Sequence, residues 1–187
     1  YDVKCTRNLK INIINDGGIP LESRTGHSYI KQMIKRESAK LGGEMSGHIF
    51  MNDRGWYGFD CSLYNAARLL ELWSRRDSSF SEELNRLAPN LPTTGEVKVP
   101  CAEEDKLEAV EAIKNAFSDY EASTIDGVRV RFSENGEQTG WYLARKSNTE
   151  PILVMRVEAL NQDKLDEMLA LIDERISPII NIEKLLA

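Results

Sequence analysis

Val128, Val130 and Phe132 alternate with Arg129 and Arg131, the pair Asn135-Gly136 follows, and the chain then runs back through the apolar stretch Trp141 to Ala144. A period of two confines these residues to extended chain, because successive side chains of a strand point to opposite faces. Asn-Gly between two such runs favours a tight antiparallel hairpin, since both residues tolerate positive φ. Ile152 to Val157 adds an apolar strand, and Glu96 to Cys101 another. Two stripes at helical spacing can cover them. One is Leu107, Val110, Ile113 and Phe117, behind the acidic turn Glu103-Glu104-Asp105; the other is Leu165, Met168, Leu169, Ile172 and Ile176. The C-terminal half is therefore predicted to be an α+β layer with a mostly antiparallel sheet.

The N-terminal half has a different rhythm. Asp2 to Lys4 reads as the tail of a strand, and Leu9, Ile11, Ile13 and Ile14 lie on a helix stopped by Gly17-Gly18. A short strand is expected near Pro20 to Arg24, then a helix after Thr25-Gly26 with Ile30, Met33 and Ile34 on one face. Leu41 to Met51 reads as a central strand. Asp60 would cap a helix carrying Leu63, Ala66, Ala67, Leu70 and Trp73. Alternating strands and helices argue for an α/β layer with a mainly parallel sheet. The polar, proline-bearing stretch from Arg75 to Gly95 reads as the connection, giving units of residues 1–88 and 89–187.

Composition excludes several partners. The 24 Lys and Arg are scattered among 30 Asp and Glu rather than gathered into a stripe, which speaks against nucleic acid. No apolar run is long enough to span a bilayer. Cys5, Cys61 and Cys101 form no CxxC pair, which favours a reducing compartment such as the cytoplasm and argues against a disulfide framework and a zinc site. The chain starts Tyr1-Asp2-Val3-Lys4, inside an expected strand, and is expected to be a fragment; an upstream targeting signal stays open.

Chemistry concentrates at Gly42-Gly43-Glu44-Met45-Ser46-Gly47-His48-Ile49-Phe50. In a strand, Glu44, Ser46 and His48 point one way, and carboxylate, hydroxyl and imidazole together suit a polyol. Bare backbone at Gly43 and Gly47 would let a ligand approach. His27, at a strand-to-helix junction, and Lys4, at the end of the first strand, would lie on the ligand-binding edge of a parallel sheet. Each residue alone also fits a plainer role: a solvated strand face, a helix-end hydrogen bond, a surface lysine. Arg145-Lys146-Ser147-Asn148-Thr149-Glu150-Pro151 offers a guanidinium, hydroxyls, an amide and consecutive N–H groups, a set suited to a phosphate dianion. It equally fits a turn in which Ser147 and Asn148 satisfy local backbone.

Gly43 to His48, then Gly58-Phe59-Asp60, then Arg145 to Pro151 resemble, in that order, the α-D-phosphohexomutase superfamily, specifically its bacterial phosphomannomutase/phosphoglucomutase branch. The likeness runs from Asp2 to the final helix. It implies that residues 1–88 are most of the third domain of such an enzyme and 89–187 its fourth, TATA-binding-protein-like domain. Glu44, Ser46 and His48 would then bind the sugar, and Arg145, Ser147, Asn148 and Thr149 would hold the phosphate that is not transferred. His48, His27 and Lys4 would handle a proton or stabilise charge on the transferring group.

Two family elements are absent from this chain: the Ser-His-Asn-Pro stretch that carries the phosphoserine and the Asp-Gly-Asp-x-Asp-Arg loop that binds magnesium. The resemblance thus implies no metal ligand here and no activity for the chain alone. Mg2+ and the phosphoserine would come from N-terminal domains of the same protein. The complete enzyme would interconvert glucose or mannose 1-phosphate and 6-phosphate through a bisphosphorylated hexose. A phosphoglucosamine mutase is an alternative, although that branch usually carries Gln where this chain has Met45 and Gly where it has Asn148. A non-catalytic phosphosugar-binding module is another.

Overall fold

The computed structural model describes residues 1–186 of the 187. It divides into two compact units, Tyr1–Asn90 and Leu91–Ala187.

The first unit runs α1 (Arg7–Asn15), α2 (His27–Glu37), β1 (Leu41–Gly43), β2 (Ile49–Met51), α3 (Ser62–Trp73) and α4 (Phe80–Leu87). Its small core joins Ile30 and Ile34 of α2 to Phe50 of β2, with Ala39 packed alongside. The strand expected over Leu41 to Met51 is instead a hairpin, in which β1 pairs antiparallel with β2. The chain reverses because Gly47 N–H donates to the Glu44 carbonyl at 3.0 Å and Glu44 N–H to the His48 carbonyl at 2.9 Å. Gly47 takes φ 92°, the left-handed position that closes a three-residue hairpin loop. Alternation along one strand is therefore not what relates Glu44 to His48; they face each other across the loop. Nor is the described sheet of this unit mainly parallel. Its parallel pairing is the isolated bridge between Asp2 and Ser23, which is also all that forms of the strands expected at residues 2–4 and 20–24.

The helix stripes of this unit find less cover than their spacing suggests. α1 and α3 have no buried residue, and Leu63 and Leu70 stay 82% and 68% exposed. Periodicity marks a face that needs cover without supplying the element that provides it. The connection expected to be irregular contains α4, which opens on a capping box: the Glu82 N–H donates to Ser79 Oγ and the Ser79 N–H to the Glu82 carboxylate.

The second unit runs β3 (Val97–Pro100), α5 (Lys106–Ala116), β4 (Ala122–Ser123), β5 (Val128–Glu134), β6 (Glu137–Lys146), β7 (Ile152–Ala159), α6 (Gln162–Ile176) and α7 (Glu183–Leu186). Its five strands lie in the order β3-β7-β6-β5-β4, every neighbouring pair antiparallel. Asn135 and Gly136 close the β5–β6 hairpin with φ 52° and 84°, as the dipeptide predicts. One continuous core joins Val110, Ile113 and Phe117 on the α5 side to Val130, Tyr142 and Met155 of the sheet and to Met168, Ile172 and Ile176 of α6. Trp141 is 1% exposed; the Arg129 guanidinium lies 4.1 Å from its ring centroid and its indole N–H donates to Glu158 at 3.0 Å. Both faces of β6 are thus covered, and Trp141 to Arg145 are all buried.

Gly127 tests that packing. It sits at φ +81°, and a Cβ there would fall 2.7 Å from the Arg145 Cα and collide with the Ala144 carbonyl. Gly127→Ala is expected to lower stability by about 2 kcal/mol or more, from left-handed strain and the backbone collision together. Urea unfolding measures this, and an unchanged midpoint would contradict the packing of residues 126–127 on β6.

Candidate functional site

Each unit gathers its own polar cluster. In the first, the hairpin loop is placed beside the N-terminus of α2. Glu44 is 8% exposed, and its Oε1 accepts the Gly26 backbone N–H at 2.6 Å. Gly26 is the N-cap of α2, so a carboxylate here meets the positive end of the helix dipole. His27, the first helical residue, brings Nε2 to 3.6 Å from Glu44 Oε2. His48 Nδ1 lies 2.6 Å from Asp60 Oδ2, and the two imidazoles meet edge to face with centroids 4.3 Å apart. Phe50 backs His27 at 5.0 Å. Each imidazole is a little under half exposed, so the cluster is open on one side.

Asp60 is the residue that sequence reasoning misplaced. Expected to cap α3, it leaves that position to Cys61, which makes no side-chain cap bond. Its carboxylate instead takes His48 and the Ile49 N–H. The hydrogen bond from His48, helped by that N–H and by the two imidazoles nearby, holds the Asp60 carboxyl below the ordinary aspartate range. The sequence signal was present in Gly58-Phe59-Asp60, but a cap and a histidine partner call for the same residue type.

The structure brings together His27, Glu44 and His48, and leaves Ser46 exposed in the loop. Lys4 is 8% exposed, just beyond the Asp2 bridge. Buried Asp2 organises that corner. Its carboxylate accepts the Lys4 N–H at 3.1 Å, the Cys5 thiol at 3.2 Å and the Thr25 hydroxyl at 3.3 Å. Burial, followed by the Asp2 charge, pushes the Cys5 thiol up to about 12, so it is inert as a nucleophile at neutral pH.

In the second unit, Arg145 ends β6 and is 5% exposed, rather than displayed on the turn. Its Nε donates to Asp126 at 2.8 Å, whereas its Nη2 is buried without a hydrogen-bond partner. The loop beyond it is folded around Ser147, whose Oγ accepts the N–H groups of Thr149 and Glu150 at 3.2 and 3.1 Å. Asn148 and Thr149 are exposed. Beneath the loop lies Lys106, 2% exposed, donating to the carbonyls of Ser147 and Glu150 at 2.9 and 3.1 Å and paired with Glu103 at 2.5 Å. Asp126 and Lys106 were not singled out from sequence. Lys106 had a signal: it stands one helical turn before Val110 on the inward stripe of α5, where a lysine needs a polar reason.

Among the described residues, one group of side chains can hold a metal: His27, Glu44 and His48. Magnesium requires an oxygen-rich octahedral shell. Two imidazoles and one carboxylate do not fit it, and no magnesium-dependent step is assigned to these residues.

Comparison with known proteins is consistent along the chain. The family model described as phosphoglucomutase/phosphomannomutase, alpha/beta/alpha domain III, matches residues 1–91, and that of the phosphoglucomutase/phosphomannomutase C-terminal domain matches residues 96–175. A phosphomannomutase/phosphoglucomutase of Pseudomonas syringae pv. tomato is 43% identical over 170 residues, covering 90% of this chain and 35% of that protein. A phosphoglucomutase of Neisseria gonorrhoeae is 41% identical over 172 residues, covering 90% and 36%. The crystal structure of a phosphoglucomutase/phosphomannomutase family protein from Burkholderia thailandensis superposes with a TM-score of 0.79 at 39% identity, covering 97% of this chain and 38% of that one. The chain thus spans about a third of the length of the curated relatives it matches.

The Asp60–His48 pair predicts a pH signature. A carboxyl whose folded value is depressed keeps its pairing above its ordinary value and loses it as pH falls through the depressed one. A carbon-detected NMR titration of Asp60 should therefore show a midpoint below that of an ordinary aspartate, and His48→Ala should raise it. An ordinary midpoint in the parent chain would remove the hydrogen bond from the cluster.

Proposed function

Because the chain belongs to the phosphoglucomutase/phosphomannomutase family, we propose that it is the sugar- and phosphate-recognition portion of a phosphohexomutase. The complete protein would interconvert the 1- and 6-phosphates of glucose or mannose, with a phosphoserine, Mg2+ and further domains supplied outside this chain. A bisphosphorylated hexose is the intermediate in this reading, and the cytoplasm its place of action.

The first unit supplies sugar recognition. A carboxylate held by the Gly26 N–H keeps its orientation, and an ionised carboxylate has lone pairs for two vicinal hydroxyls. Ser46, exposed in the loop, adds a hydroxyl. His48, oriented by Asp60, and His27 are the groups able to accept or return a proton at a sugar oxygen, and Lys4 adds positive charge.

The second unit supplies phosphate recognition, and one observation carries this assignment: the unpartnered Nη2 of buried Arg145. A buried donor without an acceptor costs on the order of 1–3 kcal/mol, and an anion drawn into the loop relieves it. Asp126 fixes the guanidinium through Nε, which reserves the rest of the fork for the ligand. Ser147, Asn148 and Thr149 then contribute hydroxyl, amide and backbone donors. Lys106 holds the loop carbonyls from within, so the loop need not be ordered by the ligand.

NMR titration of the labelled chain with glucose 1-phosphate, glucose 6-phosphate and unphosphorylated glucose tests both assignments. Shifts at residues 145–149 are expected with both phosphates and not with glucose. Arg145→Lys, which keeps the charge beside Asp126 but loses the fork, should weaken phosphosugar binding by about 1.5–3 kcal/mol. Arg145→Ala should in addition cost about 3–5 kcal/mol of stability, because the buried Asp126 loses the guanidinium that neutralises it. Equal phosphosugar affinity in Arg145→Lys and the parent would exclude the phosphate role.

A further inference from the structure

One groove of the first unit takes no part in the sugar and phosphate assignments. It encloses about 540 Å³ between α2 and the turn that follows β2. Its charged side chains are Lys31 and Lys35, one turn apart on α2, and Lys40, which precedes β1; no carboxylate lines it. Among the described residues none of these three ammonium groups is paired with an acid, although the chain carries a net charge of -6. The acids adjacent in sequence are taken, Glu37 by Arg36 and Asp53 by Arg68. The negative end of the α2 dipole accounts for Lys35, but not for gathering further like charge at Lys31 and Lys40.

The opposite wall is aromatic and firmly tied. Asn52 joins it to the connection between α2 and β1, donating its side-chain amide to the Ala39 carbonyl at 3.0 Å and its backbone N–H to the Lys40 carbonyl at 2.8 Å. Gly58 N–H returns to the Met51 carbonyl at 3.0 Å, and Trp56 stacks on Tyr64 of α3 with centroids 4.1 Å apart. Tyr57 and Phe59 nevertheless stand 79% and 56% exposed while lining the groove. Two aromatic rings left in water beside three unneutralised ammonium groups complement a flat ring that carries several negative charges. We propose that this groove binds a nucleoside di- or triphosphate, its base against Tyr57 and Phe59 and its phosphates on Lys31, Lys35 and Lys40. The volume lies within the roughly 300–1,000 Å³ of small-molecule sites. Stacking accepts any base, so the class rather than one nucleotide is assigned. Three charges in one concavity suit a small ligand and not a nucleic-acid backbone, which needs a longer basic track. None of these residues is given to the sugar or to the phosphate loop, so neither reading depends on the other.

NMR titration of the labelled full chain with ATP in metal-free buffer is the test. One equivalent is expected to bind, with saturable shifts at residues 31–40 and 52–59. Tripolyphosphate, which has the charge without the ring, should bind about tenfold more weakly, and adenosine, which has the ring without the charge, more weakly still. Tyr57→Ala should lower ATP affinity about tenfold and leave tripolyphosphate affinity unchanged. Lys31→Gln combined with Lys35→Gln should lower both by about tenfold or more. Lys10→Gln, which removes a positive charge at an exposed position on α1, should alter neither. All of these side chains are exposed, so the substitutions leave the packed core intact. Absence of ATP binding, shifts confined to residues 145–149, tripolyphosphate binding as tightly as ATP, or weakening by Lys10→Gln equal to that of the paired substitution would each overturn the proposal.

Discussion

A carboxylate that is almost completely removed from water must be met by donors, and in the first unit that requirement falls on Glu44. Its partner is the Gly26 N–H at the start of α2, where backbone donors have no helical acceptor of their own. The hairpin loop is consequently anchored to a helix end rather than free on the surface. The histidine cluster follows from that anchor. Closing the loop sets His48 opposite Glu44, and the helix start that receives Glu44 also carries His27. The return strand then delivers His48 to Asp60.

The second unit solves the converse problem, that of buried cations. Arg145 is neutralised by Asp126 and Lys106 by Glu103, and each cation has a further task. Lys106 spends two of its donors on the carbonyls of the loop beyond Arg145, which braces a turn also held by Ser147 Oγ and by the Lys98–Glu150 ion pair. Pairing costs desolvation that an apolar side chain would avoid, so such ions are weak contributors to stability. Both cations lie at the loop beyond β6, where the proposed phosphate role rests on a guanidinium nitrogen left without an acceptor.

The two units differ in how far their sequence could be read. In the second, period-two strands, the Asn135-Gly136 turn and two apolar stripes agree with one another, and four of the five antiparallel strands with two covering helices follow; the two-residue edge strand β4 is too short to show a period. In the first, Leu41 to Met51 is apolar at both ends with glycines between, a pattern that a strand and a hairpin share. The left-handed Gly47 decides between them, and a glycine alone does not declare its φ. α4 was legible in its capping box but hidden by the polar composition around it. The faces of α1 and α3 were recognisable as apolar, yet among the described residues no element covers Leu63 or Leu70.

The sequence by itself determined the residue chemistry and the element periods: a carboxylate, a hydroxyl and an imidazole within five positions, and an arginine followed by a polar turn between two strands. It also carried, through the order of those motifs, the family. Only the tertiary structure decided which partner each group meets. Asp60 could cap a helix or hold a histidine, Arg145 could lie on the turn or beneath it, and Lys106 could point to water or to the loop. Those choices turn on hydrogen-bond geometry between residues far apart in the chain, and a one-dimensional pattern of polarity contains no such distances.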